Sequence, residues 1–85
     1  MDTNFEHYKV FYYVAKYENL TKAASVLKTS QPAVTRTIHN LENILGCRLF
    51  IRSKTGMKLT PEGNIFYEYV AAGCAQFFKG ENNLS

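Results

Sequence analysis

The stretch from Ser30 to Gly46 constrains the fold more than any other part of the chain. Val34, Ile38, Leu41 and Leu45 follow one another at intervals of four, three and four residues, the spacing of one helix face. Ser30 is a good N-cap, and Pro32 falls in the first turn, where a missing N–H breaks no intrahelical bond. Gly46 suits the left-handed position that ends a helix. The opposite face carries Gln31, Thr35, Arg36, His39, Asn40 and Asn43. Such a helix must bury one side and present the other.

The segment before it predicts a short helix from Lys22 to about Lys28, with Thr21 as N-cap and Ala23, Ala24 and Leu27 inward. The paired alanines allow close helix crossing. Thr29-Ser30 is a short polar break between the two helices. Helix, short turn and polar-faced helix form a helix-turn-helix, in which the second helix offers its first residues to base edges. Upstream, Thr3 and Glu6 fit a capping box. Phe5, Tyr8, Phe11, Tyr12 and Ala15 form the apolar face of a helix to about Tyr17, with Tyr13 and Tyr17 off the stripe. That aromatic face is read as core packing.

Downstream, Arg48–Arg52 predicts a short strand, Ser53-Lys54-Thr55-Gly56 a turn, and Met57–Leu59 a second strand. A basic hairpin directly after a recognition helix is a wing. Thr60-Pro61-Glu62 then starts a long helix to about Lys79, with a Thr cap, Pro at its first position and an acid in its first turn. The expected fold class is mainly α: a winged helix-turn-helix of three helices and a two-stranded β wing, followed by a long linker or dimerisation helix. The expected division is 1–59 for the winged unit, 60–79 for the linker helix and 80–85 for a frayed end or the start of an interdomain linker. Ile65, Phe66, Tyr69, Val70, Gly73 and Phe77 lie on an apolar face too wide for so small a core, so they are expected at a homodimer interface.

Charge points to the partner. Residues 21–60 hold Lys22, Lys28, Arg36, Arg48, Arg52, Lys54 and Lys58 against the single acid Glu42. The rest holds three bases against six acids. A basic centre between acidic flanks suits a polyanion, here double-stranded DNA. The expected base-contacting residues are Gln31, Pro32, Ala33, Thr35 and Arg36. Arg can fork onto guanine, Gln onto adenine, and Thr or Ala can meet a thymine methyl. Lys22, Ser30, His39, Arg52, Lys54 and Lys58 are expected at the DNA backbone. An enzyme is disfavoured, because His7 and His39 lie on different predicted helices without a convergent acid or nucleophile. Cys47 and Cys74 lack metal-site spacing, and no apolar run approaches the roughly 20 residues of a membrane span. A cytoplasmic, nucleoid-associated protein without catalytic or metal site is the expectation. A winged helix can also serve protein association alone, but such a surface would replace Gln31, Thr35, Arg36 and Asn40 by apolar or acidic residues.

Ala23-Ala24, Leu27, Ser30-Gln31-Pro32-Ala33-Val34-Thr35, Ile38, Leu41-Glu42, Leu45-Gly46, Leu49-Phe50, Arg52 and Leu59-Thr60-Pro61-Glu62-Gly63 together resemble the N-terminal domain of LysR-type transcriptional regulators. The similarity extends from about Phe5 to Val70. It implies linker helices packed antiparallel in a dimer and AT-rich sites of dyad symmetry. It also implies tetramers in longer chains and RNA polymerase as a further partner. The expected base-reading positions are then Gln31, Pro32, Thr35 and Arg36. Thr35 stands where the family usually has Ser, Thr37 where Gln is common, and Thr55 near a frequent wing Arg. No cofactor is expected in this segment; a small-molecule effector belongs to the family's C-terminal domain, which this sequence does not contain. The N-terminal domain of molybdate-responsive regulators is a similar neighbour.

Overall fold

The computed structural model describes residues 5–84, and the side chains of 5–73. The element order is α1 (Phe5–Tyr17), α2 (Leu20–Leu27), α3 (Gln31–Leu45), β1 (Phe50–Ser53), β2 (Gly56–Leu59) and α4 (Pro61–Leu84). The mainly helical winged helix-turn-helix read from the sequence is the architecture found. The proposed Thr3 cap lies outside the described residues.

Helix α1 runs through the middle of the core and packs on α2, α3 and α4. Its most deeply buried side chains are Val10, Phe11 and Val14. The aromatic stripe thus marks only part of the buried face, because a helix with three neighbours buries more than one stripe. Tyr13 and Tyr17 stack on each other, rings 6.1 Å apart and nearly parallel.

Helix α2 begins at Leu20, not Lys22. Asn19, in extended backbone, accepts from the Lys22 amide at 2.8 Å, so Asn19 and not Thr21 is the N-cap. The earlier start lets Leu20 enter the core beside Ala23 and Ala24. Lys28 ends the helix in the left-handed region (φ 59°). Helix α3 forms as its sequence dictates. The Ser30 hydroxyl accepts from the Ala33 amide at 3.2 Å, Pro32 lies in the first turn, and Gly46 closes the helix at φ 74°. Val34, Ile38 and Leu41 are buried.

The wing is a two-stranded antiparallel hairpin pairing Phe50 with Leu59 and Ser53 with Gly56. Its first strand starts two residues later than Arg48, since Leu49 and Phe50 are drawn into the core, and Gly56 opens the second. The root of the hairpin is tied down by two polar side chains. Glu42, buried on α3, accepts from the Leu49 amide at 2.7 Å and the Phe50 amide at 3.3 Å. The Thr60 hydroxyl donates to the Arg48 carbonyl at 2.6 Å and accepts from the Gly63 amide at 2.9 Å. Thr60 therefore caps α4 and joins it to the wing. A Cβ at Gly63 would run into the Leu49 carbonyl, so α4 meets the hairpin root at a distance only glycine permits.

Helix α4 continues past Lys79 to Leu84, through the segment expected to be a frayed end. A single Gly80 costs a helix only about 1 kcal/mol relative to Ala, and no proline follows it. The inner face of α4 belongs to the subunit's own core. Val70 is buried, and Phe66 packs edge-on against Phe11 (5.0 Å) and against Tyr8 (5.8 Å). Phe66 and Val70 were expected in an intersubunit seam; within the subunit Val70 is buried, and Phe66 is half-buried against Phe11 and Tyr8 of α1. Ile65 and Tyr69 point outward, 60% and 77% exposed. Gly73 is exposed with nothing close to it, and the Phe77 side chain lies outside the described ones. No helix among the described residues is long and apolar enough to cross a membrane.

Candidate nucleic-acid interface

The exposed side of α3 follows from burial of the opposite one. With Val34, Ile38 and Leu41 inward, Gln31, Pro32, Arg36, His39 and Asn40 must face solvent, and Thr35 lies half-buried beside them. These six residues line one continuous shallow surface. Ala33 is half-buried and is not part of that lining. It shares its side of the helix with Thr37, whose hydroxyl donates to the Ala33 carbonyl at 3.0 Å. Thr37 thereby turns its polar group back onto its own helix.

The wing stands beside the same face. Arg52 and Met57 are direct cross-strand partners and, with Thr35 and His39, line a small cleft between α3 and the hairpin. A second groove runs between the starts of α2 and α3 and the wing tip. Gln31, Arg52 and Lys54 line it with Asn19 and Thr21. The structure thus brings together Gln31, Pro32, Thr35, Arg36, His39, Arg52 and Lys54, with Ser30 at the helix start. The sequence reading places neither Asn19 nor Thr21 at the interface, Thr21 being expected only as a helix cap; the signal was the capping pattern itself, which puts such residues at a helix start.

Two of the expected cations stand apart. The Lys22 ammonium lies over the Tyr17 ring, 5.4 Å from its centre, in cation–π range. Lys58 lies opposite Ile51 on the hairpin face turned away from Arg52 and Met57, because side chains alternate along a strand. Its ammonium donates to the Glu18 carboxylate at 3.1 Å. Glu42, counted above as the one acid of the basic segment, is buried and holds backbone amides. Its position was readable: it follows Val34 and Ile38 at successive intervals of four, on the apolar stripe.

The electrostatic outcome is an α3 face and a wing-tip groove without a carboxylate among their lining side chains; the cleft between them is lined also by Glu42, whose carboxylate is held by backbone amides. Arg36, Arg52 and Lys54 supply the charge, Gln31 and Asn40 offer amide donors and acceptors, and the α3 start adds the Gln31 amide, since Pro32 has no N–H and the Ala33 and Val34 amides bond Ser30. Such a surface can hold phosphate oxygens and hydrogen-bond planar edges. No group of three or more His, Cys, Asp or Glu that could hold a metal ion occurs among the described residues.

The family model of the bacterial regulatory helix-turn-helix proteins of the lysR family matches residues 5–64. The chain belongs to the LysR family. Among curated LysR-family relatives, the transcriptional regulator PcaQ of Agrobacterium fabrum is 38% identical over 68 residues, 80% of this chain and 22% of that protein. BenM of Acinetobacter baylyi is 43% identical over 63 residues, covering 74% and 21%. This chain thus spans about a fifth of the length of these relatives. The structure is also similar to the BenM DNA-binding domain solved with catB site 1 DNA, at TM-score 0.88 and 33% identity over 96% of this chain and 91% of that one. A CbnR DNA-binding domain solved with DNA matches at TM-score 0.83 and 33% identity, covering 95% and 93%.

Proposed function

We propose that this chain binds double-stranded DNA sequence-specifically as the DNA-binding portion of a LysR-family transcription regulator. The observation that carries the proposal is the carboxylate-free polar face of α3, flanked by Arg52 and Lys54 of the wing. The DNA complexes of BenM and CbnR domains of the same shape support it. In this reading α3 enters the major groove, where Gln31, Thr35 and Arg36 meet base edges. Ser30 and the Gln31 amide lie at a phosphate, and the wing runs along the backbone. The chemistry is binding, and catalysis has no part in it.

The test is duplex affinity as a function of salt. Mixed-sequence duplex should bind weakly at low salt, and log affinity should fall linearly with log salt concentration. No affinity at low salt would overturn the proposal. Lys54→Ala should weaken all sequences about equally and reduce the slope by about one. A loss confined to certain sequences would contradict its phosphate role.

The same reading has two subunits joined through α4, the outward Ile65 and Tyr69 forming the seam. Tyr69→Asp should leave thermal stability within about 0.5 kcal/mol, as expected for an exposed position. It should weaken self-association at least about tenfold by placing a charge in an apolar contact. Sedimentation equilibrium of the two proteins decides it; equal association would remove the seam. Sites that are AT-rich with dyad symmetry, tetramers and an effector domain in longer chains, contact with RNA polymerase, and action at the bacterial nucleoid complete the proposal.

A further inference from the structure

The turn between α1 and α2 carries a charge that the DNA reading does not use. Glu18 is one of two non-glycine residues among those described with positive φ (53°). It is fixed on both sides: its amide donates to the Val14 carbonyl at 2.8 Å, and its own carbonyl accepts from the Met57 amide at 3.0 Å. The wing approaches so closely that a Cβ at Gly56 would overlap that same carbonyl. Glu18 is thus held against β2 by its backbone. Its carboxylate then reaches the Lys58 ammonium at 3.1 Å, across forty residues of sequence. Both side chains are about half exposed (50% and 51%), so the pair adds little to stability. A contact this weak, on a backbone this constrained, has its consequence in the charge of the wing.

We infer that Glu18 is a specificity-determining residue that withholds Lys58 from the phosphate backbone and so limits sequence-independent binding. The inference rests on the DNA reading above. Lys58 starts on the hairpin face turned away from Arg52, but it is half exposed, and without Glu18 its flexible four-carbon stem is free to swing around the narrow hairpin to a phosphate. Each phosphate contact adds about 0.9 to the salt slope for duplex DNA while carrying no sequence information. A wing with one more free lysine would therefore bind every sequence more tightly and discriminate less.

The test is a double-mutant cycle on the full chain, using Glu18→Gln, Lys58→Gln and the pair, with a mixed-sequence duplex as probe and salt varied. Both sites are exposed, and the Glu18 and Met57 backbone contact is kept in all three variants. Glu18→Gln should tighten binding and steepen the slope by about 0.9. Lys58→Gln alone should leave the slope unchanged, and the double variant should match it. The inference is overturned if Glu18→Gln leaves the slope unchanged, if Lys58→Gln alone lowers it, or if Glu18→Gln acts equally with and without Lys58. Wild-type protein with no duplex affinity would overturn the DNA reading and this inference together. Wild-type binding with an unresponsive cycle overturns the inference alone.

Discussion

Arg36→Ala should weaken binding to a cognate duplex by about 1–3 kcal/mol, roughly five- to 150-fold, and should relax preference at one base position in each half-site. Arg36 sits one turn into α3, exposed, between Pro32 and Asn40 on the outward face. It makes no ion pair with any of the described residues, so its guanidinium is available in full to a ligand. A guanidinium presents two parallel donors that match guanine O6 and N7, which no other base edge offers together. Affinities for a set of duplexes differing by single base pairs separate this role from simple charge. A base-contacting Arg36 flattens the preference at one position; a phosphate-contacting one lowers every affinity by a common factor. A variant whose preference matches wild type at every position would remove Arg36 from the base-reading set.

Glu42→Ala should cost about 2–6 kcal/mol of folding stability. The Glu42 carboxylate accepts from the amides of Leu49 and Phe50, both in the core. Truncation leaves two buried N–H groups without an acceptor, at about 1–3 kcal/mol each. It also removes the tie between α3 and the root of the wing. Arg48, 3.7 Å away and 75% exposed, returns to water at little cost, so the loss lies in the amides. In a domain of this size the loss corresponds to a fall of roughly 10 °C or more in Tm. Thermal unfolding followed by circular dichroism measures it. Glu42→Gln, which keeps one acceptor oxygen, should recover part of the loss. A fall of less than about 4 °C for the alanine variant would mean that the amides find other partners.

Helix α3 was legible in full because its signals are local: cap, proline, stripe and terminal glycine all lie within one segment. The Thr60-Pro61 start of α4 was legible for the same reason. Elsewhere the deciding contacts lie far apart in sequence. Asn19 and Thr21 are both residues that cap helices, and burial of Leu20 in the core goes with the cap at Asn19. Phe66 and Val70 read as an apolar surplus until Phe66 is seen to pack against Phe11 and Val70 in the core. Val10 and Val14 were hidden by the aromatic stripe beside them. At the candidate interface, the face of α3 and the two wing cations were readable from residue type and order. That Lys58 faces Glu18 was not, because a cross-strand register and a turn forty residues away set it jointly.

The outward side of α3 is the account's centre, and amide chemical shifts during titration with duplex DNA probe it residue by residue. The largest changes should fall on 30–40, with a second set on 52–55, while the buried amides of α1 stay nearly still. Changes confined to α1 or α4, or a spectrum that does not respond to DNA, would contradict the account.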